Sequence, residues 1–102
     1  MEITTDGPTL VLGGSFDVRS TMEVRNALYE LLAAHDGDVV VDLSEVEHID
    51  VTALRVLAVA TRQYGRTGHH LVLRGCRPAV LRMLHLSHLI RVLEVERSAA
   101  TA

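Results

Sequence analysis

At 102 residues, the chain supports one hydrophobic core and hence one domain. Hydrophobic residues make up 48% but aromatics only 3%, so the core is aliphatic and the stacking platforms used by single-stranded nucleic-acid sites are missing. A formal net charge of −3, with no basic run, excludes direct nucleic-acid binding, which needs clustered positive charge.

Glu2 to Asp6 reads as a short edge strand, and Gly7-Pro8 as the turn that pairs it with a second strand, Thr9 to Leu12. Gly13 to Asp17 reads as a loop needing freedom in φ. Ser20 followed by Glu23 forms a capping box for a first helix, whose stripe is Val24, Ala27, Leu28, Leu31 and Leu32. Asp36-Gly37-Asp38 ends it. Val39 to Leu43 is apolar at consecutive positions, as expected of a central strand covered on both faces.

After a loop, Asp50 can cap a second helix running to about Thr67, since its carboxylate can accept a free backbone N–H two or three residues on. Those free N–H groups and the helix dipole make the junction favourable for a negative group such as phosphate. Along this helix Leu54, Leu57, Ala58, Thr61 and Tyr64 form a row facing the sheet. Val56 and Val59 lie well round from that row, in line with Thr52 and Gln63, with Arg55 and Arg62 at the edge. They form a modest contact patch or else tuck under a neighbouring helix. His70 to Arg74 is a further strand. Pro78 opens a third helix with Val80, Leu81, Leu84 and His85 on its stripe, and Ile90 to Val95 is the last strand. The order β-β-α-β-α-β-α-β predicts an α/β domain over residues 1 to 96, with a mixed, mostly parallel sheet and an N-terminal hairpin. Residues 97 to 102 are expected to be a short, disordered tail.

Cys76 stands alone, so no intramolecular disulfide forms, which suits a cytoplasmic protein. Glu2 and Asp6 occupy the place of a signal peptide's basic, apolar start, and the longest apolar stretch, Ala53 to Ala60, is too short to span a bilayer. No nucleophile elbow and no phosphate-binding glycine loop occurs, and the pairs Asp36/Asp38 and Glu45/Glu47 read as solvated loop residues, so no catalysis and no cofactor is expected. His85, His88 and Cys76 lack the firm four-ligand spacing of a structural metal site.

The run Val41 to Leu54 has the pattern V-D-L-S-x-V-x-x-I-D-x-[ST]-x-L and resembles the STAS domain of bacterial anti-sigma factor antagonists. Gly14-Ser15-Phe16-Asp17 is similar to that family's loop after the second strand, and Arg77 to Val95 to its S-P-x-V and S-G-L stretch, with His88 in place of Gly. The resemblance implies a single STAS-like domain that binds a kinase-type anti-sigma factor and so frees a sigma factor for RNA polymerase. The implied contact residues are Ser15, Phe16, Asp17, Asp50, Val51, Thr52, Arg55, Val56 and Val59. In the family the first hydroxyl after the loop Asp is phosphorylated by the partner. Here that position is Val51, so the hydroxyl at Thr52 becomes the phospho-acceptor candidate, or else caps the helix. A Val there also fits a permanently active antagonist. Family members add a C-terminal helix, for which the residues after Glu96 leave one turn at most. Two other readings stay open: a STAS subunit of an ABC-type lipid or solute transporter docked on an ATPase, or a module sensing a small ligand at the same helix tip. Monomer or weak dimer is expected in each case.

Overall fold

The burial of the strand residues alternates. Leu10, Leu12, Val39, Val41, Leu43, Leu71 and Leu73 are fully buried, while Thr9, Val11, Val40, Asp42 and Val72, between them in sequence, are half-buried. A period of two means one sheet face is packed and the other is open to solvent. The computed structural model describes residues 1–96, and the tail expected at 97 to 102 lies outside them. It contains β1 (Glu2–Asp6), β2 (Thr9–Phe16), α1 (Thr21–Ala34), β3 (Val39–Ile49), α2 (Val51–Gly65), β4 (Leu71–Arg74), α3 (Pro78–Leu86) and β5 (Glu94–Val95).

The sheet order is β1-β2-β3-β4-β5, with β1 antiparallel to β2 and every later pair parallel. Three successive right-handed crossovers stepping in one direction set all three helices on the same face. Their buried residues, among them Val24, Leu28, Leu54, Leu57, Val80 and Leu84, join the buried strand residues in one aliphatic core. The expectation that β3 is covered on both faces therefore fails for Val40, which lies on the side without helices.

β2 and β3 run further than the sequence predicts. Gly13 to Phe16 continue β2 where a loop was expected, and Ser44 to Ile49 continue β3, so Glu45 and Glu47 are strand residues and not loop residues. The extension is hidden because its register is irregular. From Val11↔Asp42 to Gly13↔Glu45, β2 advances two residues and β3 three; from Gly14↔Val46 to Ser15↔His48, β2 advances one and β3 two. Each extra residue bulges β3 and breaks the alternation of apolar side chains. Asp42 secures the first bulge, its Oδ1 accepting from Ser44 N at 2.9 Å and from Ser44 Oγ at 2.7 Å. Gly14, at φ 89°, supplies the conformation β2 needs at the second.

At the other end of the chain, Ile90 to Val95 is not one strand. Leu89–Arg91 form a 3-10 turn and only Glu94–Val95 pair with β4. On α3, His85 is exposed and the buried positions are Val80 and Leu84. His88 sits at φ 64°, the left-handed region, at the position where the resembling family carries Gly. His88→Gly is expected to raise stability by about 0.5–1 kcal/mol as relieved strain outweighs the entropy glycine adds to the unfolded chain. His88→Val, β-branched, is expected to lower it. Thermal melts of the two variants should bracket the native protein.

Candidate functional site

At the carboxyl edge of the sheet, the paired ends of β2 and β3 bring two connections together. Phe16 opposes Ile49, and Asp50 N donates to Phe16 O at 3.3 Å. Asp50 is extended (φ −109°, ψ 173°) and caps α2, its Oδ1 accepting from Ala53 N at 2.8 Å. Its Oδ2 accepts from Val18 N at 3.1 Å, across the gap to the β2–α1 loop. One carboxylate thus ties the loop to the helix. It also takes up part of the anion-binding capacity that the sequence suggested for a phosphate, so the helix tip carries its own negative group.

The β2–α1 loop is closed on itself. Ser20 Oγ accepts from Asp17 N at 3.2 Å and lies within donating distance of Ser15 O at 3.3 Å. This is why Ser20, at the start of α1, makes no cap bond to the helix despite the S-x-x-E pattern. The Arg19 guanidinium pairs with Asp17 at 2.8 Å and, with the Arg19 backbone N–H, holds the Asp17 carboxyl below its usual range. Thr21 Oγ1 donates to Val18 O at 3.1 Å. Val18 is left on a braced loop, 63% exposed.

Most of the sequence-predicted contact residues converge here, with one clear exception. Phe16 is fully buried and belongs to the core, not to a contact surface. Pairing with the bulged end of β3 carries β2 on to Phe16, whose side chain joins the buried core. Ser15 and Asp17 are half-buried in the loop brace. Asp50 and Val51 are half-buried at the junction, Thr52 and Arg55 are exposed on the first turns of α2, and Val56 is half-buried while Val59 is 51% exposed. Asp50 is the cap, accepting from Ala53 N, and Thr52 is exposed on the first turn.

Two residues of this surface escape the sequence analysis: Val18, and Met22 at 63% exposed. The signal for Met22 was available, because it lies off the α1 stripe as Val59 lies off the α2 row. α1 and α2 run side by side in the same direction, and Tyr29 Oη donates to Gln63 Oε1 at 2.6 Å. Two turns back along each helix, that register sets Met22 opposite Val56. The result is an apolar ridge of Val18, Met22, Val56 and Val59 that begins beside the Asp50–Thr52 tip and runs about two turns along α2, with Arg55 beside it.

Among the described residues no three His, Cys, Asp or Glu side chains gather as metal ligands, and no helix is long and apolar enough to cross a membrane. Burial pushes the Cys76 thiol up to about 11, so it is no ready nucleophile at neutral pH.

A family model described as Mlab, STAS domain matches residues 1–94. Curated proteins provide no sequence match. Among solved structures, an anti-sigma factor antagonist from Mycobacterium paratuberculosis is similar at 20% identity and TM-score 0.77, covering 98% of this chain and 86% of that one. The Bacillus cell fate determinant SpoIIAA in its phosphorylated form is similar at 12% identity and TM-score 0.66, covering 98% and 94%. A sulfate transporter family protein from Wolinella succinogenes is similar at 19% identity and TM-score 0.68, covering 85% and 73%. At these identities the likeness is one of fold.

Proposed function

From the premise that the chain belongs to the STAS domain family, we propose that it is a docking protein that antagonises an anti-sigma factor. Its partner is a kinase-type anti-sigma factor, engaged through the tip of α2 and the loop tied to it. The observation that carries this reading is the ridge itself: of the four large hydrophobic residues left exposed among the described residues, Val18, Met22 and Val59 belong to it, and only Leu86, at the end of α3, lies elsewhere. Ordinary exposed apolar residues scatter; these form one strip that leads from the braced loop along the paired helices. The arrangement suits recognition, since the exposed apolar side chains are presented by a loop and a helix start that hydrogen bonds from Ser20 and Asp50 hold together. That SpoIIAA has been seen phosphorylated, and the Mycobacterium neighbour is called an anti-sigma factor antagonist, supports this assignment of partner.

Val51 has no oxygen, and no phosphate transfer occurs there. The complex is accordingly expected to persist in the presence of ATP. The test mixes the protein with the kinase-type anti-sigma factors of its own organism, with and without ATP, and follows complex formation and mass. Met22→Asp and Val59→Asp each place a charge on the ridge and are expected to weaken the complex at least about tenfold, with unchanged melting because both side chains are exposed. If none of those factors forms a complex, the reading is lost. Phosphate on Thr52, abolished in Thr52→Ala, would replace the unregulated antagonist with a shifted switch.

A second reading, a STAS subunit docked on the ATPase of a transporter, draws support from the Wolinella neighbour and from Val51, since such docking needs no phospho-acceptor. Capture of an ATPase in place of a kinase by the same ridge, lost in Met22→Asp, would select it.

A further inference from the structure

At the opposite end of α1 and α2 from the tip, a cleft of about 380 Å³ opens between their last turns. Its walls include Tyr29, His35, Asp36, Gln63, Tyr64 and His69. The chain has two tyrosines, and both are here. Tyr64 is 8% exposed, and its hydroxyl donates to the carbonyls of Gly37 and, at 3.2 Å, His35, fixing the exit of α1 against α2. The His69 ring tilts against the Tyr64 ring, centroids 5.1 Å apart. His35 Nδ1 lies 3.0 Å from Leu31 O; a carbonyl only accepts, so Nδ1 carries the hydrogen and a neutral His35 presents Nε2 as an acceptor.

The α1 side of this end is negative, while α2 ends in the exposed Arg62 and Arg66, which do not line the cleft. The C-terminus of α1 carries the negative end of the helix dipole, its last turn has no basic residue, and Asp36 and Asp38 follow directly. Among the described residues neither Asp has an ion-pair partner; Asp38 Oδ1 accepts only from the His70 backbone N–H, at 2.9 Å. The Tyr64 hydroxyl is held above its usual range by burial first, and then by the charges of Asp38 and Asp36. Among the described residues no Arg lines the cleft, although Arg25 stacks over the Tyr29 ring at 5.2 Å, showing that this ring accepts a cation on its face. An anion would meet like charge here, and a purely apolar ligand would strip water from Asp36 and the helix carbonyls without replacing it.

We propose that this cleft binds a small organic amine, its ammonium group set against Asp36 and the C-terminus of α1 and its alkyl chain against the tyrosine rings. The cleft volume falls in the range of small-molecule sites, and aromatic walls with carboxylate and carbonyl acceptors are the chemistry that recognises an alkylammonium. The site is separate from the docking ridge and stands or falls independently of it.

The test is an amide NMR titration of the full chain with putrescine at fixed ionic strength, with 1-butanol as the uncharged control. Saturating shifts are expected at His35, Asp36, Gln63 and His69, and none with butanol. Asp36→Asn should weaken the interaction about five- to tenfold by removing one partly solvated charge, while Met22→Asp should leave it unchanged. Asp36 is exposed, so the variant is expected to fold normally, which its melting curve checks. The proposal is overturned by shifts that do not saturate, by shifts spread over Glu45 and Glu47 on the far side of the sheet, by equal binding of butanol, or by an unchanged affinity in Asp36→Asn.

Discussion

Phe16→Ala is expected to destabilise the protein by about 3–5 kcal/mol, the cost of emptying a large aromatic site in a packed core. The ring is fully buried and heads the largest side chains of the core. For a domain of this length that loss corresponds to a fall in Tm of roughly 15–30 °C, a large share of the total stability of a small domain. Phe16→Leu, which keeps most of the volume and the hydrophobicity, is expected to cost less than about 1.5 kcal/mol. The pair separates two roles for one position. A contact residue would lower partner affinity with the melt unchanged; a core residue lowers the melt, and the Leu variant restores both. Chemical denaturation of both variants, with partner capture alongside, makes the comparison.

The misplacement of Phe16 has a local physical origin. Gly13 and Gly14 look like loop chemistry, and a run read as loop carries its aromatic outward. In the folded chain the glycines sit where β2 and β3 fall out of step, and the strand continues through them to Phe16. A bulge replaces a two-residue period with a local three, so Leu43 and Val46 are both buried across a polar Ser44-Glu45 pair. No periodicity template of a single strand contains that step. The information lies in the pairing of two strands, which one strand's sequence does not display.

Where one element's own chemistry decides, the chain is legible. The Gly7-Pro8 turn, the stripe of α1, the Pro78 start of α3 and the Asp50 cap are each local, and each stands where the sequence predicts. Ser20 shows the limit of the local argument. Its S-x-x-E pattern is present, yet its hydroxyl is engaged by the Ser15 and Asp17 backbone, a competition visible only once the loop is closed. The contact surface divides the same way. Val59 is legible as an off-stripe residue, but Val18 owes its exposure to a loop pinned from 32 residues away by Asp50.

That pin carries the second large prediction. Asp50→Ala removes a helix cap, worth about 1–2 kcal/mol, and also a charge-assisted bond to the β2–α1 loop, worth about 1 kcal/mol more. The sum of roughly 2–3 kcal/mol corresponds to a fall in Tm of about 8–20 °C. Asp50→Asn separates the two parts. An Asn oxygen still caps α2, but the amide nitrogen opposite it cannot accept from Val18 N, so the variant keeps most of the stability and loses the loop. Its expected signature is a Tm within about 8 °C of the native protein together with faster hydrogen exchange at Val18 and weaker partner docking. If Asp50→Asn docked as the native protein does while Val18 exchanged rapidly, the braced loop would not be what presents the ridge. In that case α2 alone, through Thr52, Arg55, Val56 and Val59, would carry recognition.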